Sequence, residues 1–252
     1  MSEIRRFFLE ISYKGTAYHG WQIQPNAITV QEVLDKALSI LFRQKIETVG
    51  CGRTDTGVHA TQFYAHFDLT DSNVDVQNLR TIQGINALLP FDIAAKRLIE
   101  VEAESHARFD ATLRSYQYYI HHHKDPFKHG LSWLMRDELD IDAMNKAAEI
   151  LMSYQDFSCF SKSNTQVFTN NCKVSFAKWI KNEDGLIFNI SADRFLRNMV
   201  RAIVGTLVPV GRGEFEPEGI RNIIESKNRS NAGTSVPACG LYLTEVIYPY
   251  ID

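Results

Sequence analysis

Cysteine is scarce and scattered. The four in this 252-residue chain, Cys51, Cys159, Cys172 and Cys239, lie far apart and never form C-x-x-C. That excludes a disulfide framework and a structural zinc site, and leaves reduced, mostly buried thiols as the expectation. No apolar run approaches the length of a membrane span, and Met1 to Arg6 leads straight into Phe7 to Tyr13 without a signal-peptide pattern. A soluble, cytoplasmic protein with no membrane partner is expected. There is no G-x-G-x-x-G and no P-loop, so nucleotide cofactors lack a signature, and no Ser or Cys sits in a nucleophile motif. A strong excess of one charge is also missing: 27 basic against 30 acidic side chains give a net charge of −3. That balance at first sight argues against a nucleic-acid binder.

What is present suffices for a core. Of the residues 44% are hydrophobic and 11% aromatic, which excludes disorder, collagen and coiled coil. The length suits one large domain or two of middling size. Ile4 to Tyr13 reads as a strand, followed by a loop punctuated by Gly15, Gly20 and Pro25-Asn26. Thr29 and Glu32 form a capping box ahead of Val30, Val33, Leu34, Ala37, Leu38 and Leu41, which recur at helical spacing. A short strand (Glu47 to Cys51), a strand alternating through Phe63, Ala65 and Phe67, a helix over Val76 to Leu88, and a strand over Ile93 to Val101 complete the order β-α-β-β-α-β. This is the split βαβ, or ferredoxin-like, unit.

From Thr112 the order recurs with insertions. A strand runs through Tyr116, Tyr118 and Ile120, a helix covers Asp142 to Ser153, and a hairpin joins Val174 to Ile180 with Leu186 to Ser191 through Asn182 to Gly185. A long apolar helix (Leu196 to Val208), a surface helix (Glu218 to Lys227) and a last strand (Leu241 to Tyr248) follow. No residue-level repeat accompanies this duplication. The fold expected is α+β with two domains, residues 1–104 and 105–252.

Three stretches carry chemistry, each with a plain structural alternative. Cys51 to Ala60 (CGRTDTGVHA) brackets an Arg, two Thr and an Asp with glycines. In an extended Arg53 to Asp55 the guanidinium can lie beside the carboxylate, which typically lowers the carboxylate pKa by about 1 to 3. The alternative is a hairpin in which Asp-x-Gly makes the turn. Tyr116 and Tyr118 share a strand face, with Arg114 at its start, and can serve as a stacking platform for bases or as ordinary core. Arg194, Arg197 and Arg201, spaced by three and four, would share one face of the apolar helix as a basic stripe. A partly buried Arg201 would need an acidic partner, for which Asp55 is a candidate. His121-His122-His123 has no carboxylate or cysteine at ligand spacing, so the three are expected to be solvent-exposed and no metal site is expected.

Taken together, the motifs resemble the TruA family of tRNA pseudouridine synthases along nearly the whole chain. The matching residues are Gly52 to His59, Val30-Gln31-Glu32, Asn86 to Pro90, His106 to Ala111, Arg114 to Tyr118, Phe195 to Arg201 and Gly240 to Leu243. Two departures, Thr56 for the usual Ala and Ser235-Val236-Pro237-Ala238 for Thr-Ala-Pro-Ala, touch no ionisable position. The resemblance implies two ferredoxin-like domains whose antiparallel sheets join around a central cleft. It implies a homodimer that holds tRNA and an isomerase converting uridine to pseudouridine at positions 38 to 40 of the anticodon stem-loop. By the same carry-over Asp55 is the catalytic aspartate, Tyr116 packs on the target base, and Arg53 and Arg201 are flanking cations. The isomerisation is redox-neutral and adds no outside group, so no cofactor is expected.

The charge map accommodates this. Residues 1–104 carry 10 basic and 13 acidic side chains and residues 105–252 carry 17 of each, but between Ser191 and Gly213 four arginines face only Asp193. RNA meets one face of a protein, so net charge is too coarse a guide. Two other classes stay open at this point: a non-catalytic RNA-binding module, and a glycosidase-type hydrolase that would need a second carboxylate about 5 to 10 Å from Asp55.

Overall fold

The apolar, β-rich first segment forms strand β1 (Ile4–Tyr13), whose Phe7, Phe8, Leu9 and Ile11 are fully buried in a computed structural model that describes residues 4–70, 75, 78–161 and 169–251. Helix α1 (Val30–Phe42) follows the loop, and the Thr29 hydroxyl accepts the Glu32 N–H at 3.3 Å, an N-cap contributing about 1 kcal/mol. Its Val30, Leu34, Ala37 and Leu38 form the buried stripe. Strands β2 (Val49–Gly50) and β3 (His59–Thr70), helix α2 (Leu79–Leu88) and strand β4 (Ile93–Val101) complete the run. Asn78 caps α2, so the helix begins at Leu79; Val76 and Gln77, expected within it, lie outside the described residues.

The strand order here is β4-β1-β3 with β2 on β3, all antiparallel. Phe7 stands opposite Phe67, their rings 5.9 Å apart. Both faces of β3 are buried, not only the one bearing Phe63, Ala65 and Phe67. On the other face Tyr64 donates to Glu10 at 3.0 Å and accepts from Arg97 at 2.7 Å. Beside it His66 packs 4.7 Å from His106 and accepts the Ala107 N–H at 3.1 Å. Tyr248, after the last strand, covers Tyr64 edge-on at 5.3 Å. Polar residues alternating with apolar ones thus line a second, hydrogen-bonded layer.

Strand β5 (Leu113–His121), the two-residue strand β6 (Trp133–Leu134), helix α3 (Ile141–Leu151), the hairpin of β7 (Val174–Lys181) and β8 (Gly185–Ala192), and helices α4 (Met199–Gly211) and α5 (Gly219–Glu225) follow. The order is β5-β8-β7, antiparallel, with β6 parallel to β5. Strand β9 (Leu241–Ile247) ends the chain's regular structure, and its Val246 N–H donates to Gln62 at 2.8 Å. The chain divides into two compact units, Met1–Thr112 with Leu243–Asp252, and Leu113–Tyr242. The fold is α+β and mostly antiparallel.

Two expectations fail here. Helix α4 starts at Met199 rather than Leu196, because Asn198 at its N-cap is left-handed (φ 67), a conformation Asn tolerates better than most residues. Arg194 and Arg197 therefore precede the helix and form no helical stripe with Arg201. The helix also runs through Pro209 to Gly211: proline costs it the hydrogen bond to Gly205 but falls in the last turn. The histidine run is likewise not solvent-exposed as a whole. His121 is buried with its Nδ1 2.6 Å from the Ser132 hydroxyl, and half-buried His122 has Nδ1 2.9 Å from the Met135 carbonyl; only His123 is exposed. Strand β6 folds back along β5 and supplies both partners' surroundings. Among the described residues no three His, Cys, Asp or Glu side chains are grouped to hold a metal ion.

Candidate active site

Residues 51–58 connect β2 to β3, and their backbone is held at nearly every step. Cys51 N–H donates to the Tyr64 carbonyl at 2.7 Å. The Thr54 carbonyl accepts from Trp21 N–H at 3.3 Å, and the Asp55 carbonyl accepts from Val58 N–H at 3.1 Å. That last bond closes a tight turn with Gly57 at φ 79 in its third position, where glycine sits without strain. Gly57 N–H donates in turn to the Tyr18 carbonyl at 3.3 Å. The Asp-x-Gly turn and a functional Asp are compatible, since the turn engages the backbone of Asp55. Its side chain is half-buried, Arg53 is exposed, and Thr54 between them is buried.

The loop leading from β1 to α1 is the frame for this turn. The Tyr13 hydroxyl lies 2.9 Å from the Thr54 hydroxyl, and the Gly15 N–H donates to His59 Nδ1 at 3.0 Å, which places the ring proton of neutral His59 on Nε2. Gly15 and Gly20 sit so close that a Cβ on either would meet the Val58 carbonyl oxygen at 1.9 Å or the Thr54 carbonyl oxygen at 2.3 Å. Tyr18 is tied by its hydroxyl to Asp92 at 2.6 Å, and the Trp21 ring lies on Phe63 at 4.2 Å. The first N–H groups of α1 donate to the same loop, Val30 to Gly20 and Gln31 to Trp21. These contacts couple the helix N-terminus to the Asp55 turn through residues 13–21.

In the second unit Tyr116 stands on β5 opposite Ile190, half-buried, with its ring edge-on to Phe195 at 5.1 Å and 86°. Tyr118, its neighbour on the same face, is fully buried, and its hydroxyl donates to the Pro237 carbonyl at 2.8 Å. The two tyrosines thus separate: one is core, the other reaches the surface. Arg114 is buried and donates to the Asp193 carbonyl at 2.9 Å. Arg201 is half-buried on α4 and its Nε donates to the Val236 carbonyl at 2.7 Å. Arg53 and Asp55 therefore belong to the first unit, and Tyr116 and Arg201 to the second.

Sequence reasoning missed Tyr13 and Tyr18 as supporting residues, and it named His59, Tyr118 and Val236 without the contacts they make. Gly15 and Gly20 signalled a loop but not what approaches it. The Tyr13 to Thr54 and Gly15 to His59 contacts span 41 and 44 positions, and no local pattern announces them. Of the thiols, Cys51, Cys159 and Cys172 are buried and Cys239 half-buried, and burial pushes Cys159 and Cys172 up to about 12. Both are therefore inert as nucleophiles near neutral pH.

A family model described as tRNA pseudouridine synthase matches residues 147–249. Among full-length relatives, the tRNA pseudouridine synthase A of Parabacteroides distasonis is 50% identical over 246 residues, 98% of this chain and 97% of that one. Its counterpart in Bacteroides fragilis is 48% identical over 98% of this chain and 97% of its own. The same-named protein of Exiguobacterium sibiricum is 36% identical over 98% of both. The chain belongs to the tRNA pseudouridine synthase family and is an enzyme, an isomerase.

Proposed function

We propose that this isomerase converts uridine to pseudouridine at positions 38, 39 and 40 in the anticodon stem-loop of tRNA, with Asp55 as the catalytic carboxylate. The observation that carries the reading is the Asp55 turn, in which a half-buried carboxylate stands on a backbone fixed by Trp21, Tyr18 and Val58. A carboxylate carried on a fixed backbone is suited to the positional demand of attack at a sugar or base carbon. The C1′–N1 bond breaks, the base turns, C5 joins C1′, the C5 proton leaves to solvent and N1 takes one up. Electrons and groups balance within the nucleotide, so the reaction calls for no cofactor. Asp55 can stabilise oxocarbenium-like charge at C1′ or form a covalent adduct there, as carboxylates do in glycoside chemistry.

The target base has to leave its stack, which costs a few kcal/mol. Tyr116, half-buried and braced by Phe195, suits the role of packing on that base, and stacking on an aromatic returns about 1 to 3 kcal/mol. Arg53 and Arg201 serve in this scheme as cations beside the reacting nucleotide and its phosphates. The proposal extends to a cytoplasmic homodimer that holds the tRNA. It also reads residues 1–104 and 105–252 as two ferredoxin-like domains; the order β4-β1-β3-β2 supports this for the first.

The test is release of tritium from unmodified tRNA labelled at C5 of uridine. Release is expected with the native protein and abolished by Asp55→Ala. Release by neither protein, or equally by both, would overturn the role of Asp55.

A further inference from the structure

Helix α4 is apolar on all sides: every residue from Met199 to Gly211 is buried except Arg201 and Pro209. A single guanidinium on such a helix gets no orientation from helical neighbours of opposite charge. The segment before β9 holds it. Val236 takes the Arg201 Nε–H on its carbonyl at 2.7 Å and gives its own N–H to the Arg201 carbonyl at 3.3 Å. Fixing Nε fixes the plane of the guanidinium and the direction in which its outer Nη edge, with four further N–H groups, points.

Residues 232–237 are themselves fastened from several directions. The Thr206 hydroxyl accepts the Gly233 N–H at 2.9 Å, and α4 packs so closely that a Cβ on Gly205 would fall 1.8 Å from the Thr234 carbonyl oxygen. Arg229 donates to the Gly233 carbonyl at 3.0 Å and to the Ser235 hydroxyl at 3.0 Å, and Asn198 at the helix N-cap donates to that same hydroxyl. Beyond Val236, the Pro237 carbonyl accepts from the Tyr118 hydroxyl at 2.8 Å. Burial pushes the Tyr118 hydroxyl up, so it stays a donor at any working pH. Anchors therefore lie on both sides of Val236, which holds Arg201.

We propose that residues 232–237 form a strap that aims Arg201, with Tyr118 and Arg229 as positioning residues for the reaction. This rests on the reading in which Arg201 is a cation beside the target nucleotide. A displacement of about 1 Å in a group that must meet a transition state can cost up to 100-fold in rate. A strap of merely structural importance would affect stability and leave the guanidinium's contribution intact.

Turnover of unmodified tRNA is to be measured for the native enzyme, Tyr118→Phe, Arg229→Gln, Arg201→Ala, and the two doubles that combine each strap change with Arg201→Ala. Tyr118→Phe keeps the ring in the core, and Arg229→Lys restores a single donor as a conservative control. Each strap variant is expected to lower kcat about 3- to 10-fold, the worth of one hydrogen bond, with KM for tRNA within about 2-fold of native. Arg229→Lys recovers part of the loss. In the Arg201→Ala background the same changes should cost less than about 2-fold more, because the residue through which they act is gone. An undiminished loss in the doubles, or native kcat in Tyr118→Phe and Arg229→Gln while Arg201→Ala is impaired, would overturn the strap. Native turnover in Arg201→Ala would overturn the role of Arg201 itself.

Discussion

The hydroxyls of Tyr13 and Thr54 meet at 2.9 Å in a buried contact between β1 and the residue just before Asp55. Tyr13 is 4% exposed and Thr54 9%, so water has little access to replace either partner. Tyr13→Phe removes one hydroxyl and leaves the Thr54 hydroxyl to find another partner, at a cost of about 1 to 2 kcal/mol. In a chain of this size that lowers the thermal midpoint by roughly 2 to 8 °C. Because Thr54 adjoins Asp55, kcat should fall further than the midpoint alone implies, about 3- to 10-fold. Thermal melts and tritium release on the same preparation check both numbers; native turnover with a lowered midpoint would reduce Tyr13 to a structural residue.

Two glycines make opposite predictions. Gly20 has φ 86, and a Cβ there would meet the Thr54 carbonyl oxygen at 2.3 Å. Gly20→Ala must push the Asp55 turn away from its frame, so we expect about 1 to 3 kcal/mol of lost stability and at least about 10-fold lost turnover. Gly52 precedes Arg53 in the same connection, yet a Cβ on it would meet nothing within 4 Å. Gly52→Ala should leave the unfolding midpoint in denaturant unchanged, within about 0.5 kcal/mol. Lost turnover in that stable variant would show that substrate, not protein, needs the space.

The contrast between these glycines marks where the sequence was readable. Periodicity located β1 and β4 to the residue and α1 to its cap, because each element's apolar pattern agrees with its burial. Helix α4 misled it at both ends. An apolar run cannot announce a left-handed Asn198, whose conformation is held by Ser235 thirty-seven positions away, and a proline in the final turn removes too little to stop the helix. The Asp55 turn was visible as glycines around charged residues. Its frame was not: Gly15 and Gly20 reach it by close backbone approach, which leaves no pattern in side-chain polarity, and Tyr13 reaches it with a hydroxyl from 41 positions away. The histidine run was misread for a similar reason: Ser132 and Met135 bury it by long-range folding of β6.

Asp35 gives a pH prediction. This carboxyl on α1 accepts from the Thr48 N–H at 3.0 Å and from its hydroxyl at 2.6 Å, but burial outweighs those bonds and pushes its pKa up to about 6. A carboxyl raised above its unfolded value stabilises the fold when protonated, and that contribution is lost as pH rises from about 4 through 6. His66 acts the other way. Burial foremost, then the Arg6 charge, pushes it down to about 4, so its contribution is present above about 6.5 and lost as pH falls toward 4. In the native protein the two partly cancel over this window. Asp35→Asn keeps an acceptor for both Thr48 donors and removes the buried charge. It should stabilise by about 1 to 2 kcal/mol at pH 7 to 8, allowing for solvent screening, with the gain gone near pH 4. The acid limb should then steepen, as His66 titrates without its counterweight. Denaturant unfolding at intervals between pH 4 and 8 measures this; a gain independent of pH would mean that folding leaves the Asp35 pKa unshifted.

Net charge says little about how this enzyme meets RNA, and salt dependence measures the meeting directly. Each phosphate neutralised contributes roughly −0.7 to −0.9 to the slope of log K against log salt. Arg53 is exposed beside the half-buried Asp55, which makes it available to a phosphate at the reacting nucleotide. Arg53→Gln should therefore weaken tRNA binding and make the slope shallower by about one such increment. Lys45 is also exposed, but its ammonium already lies 2.5 Å from the Glu47 carboxylate. Taking up a phosphate would mean giving up that partner, so Lys45→Gln should leave the slope as it was. Filter binding or fluorescence titration from low to physiological salt distinguishes the two. Equal slopes for Arg53→Gln and the native enzyme would place Arg53 off the phosphate backbone and leave it, at most, a neighbour of Asp55.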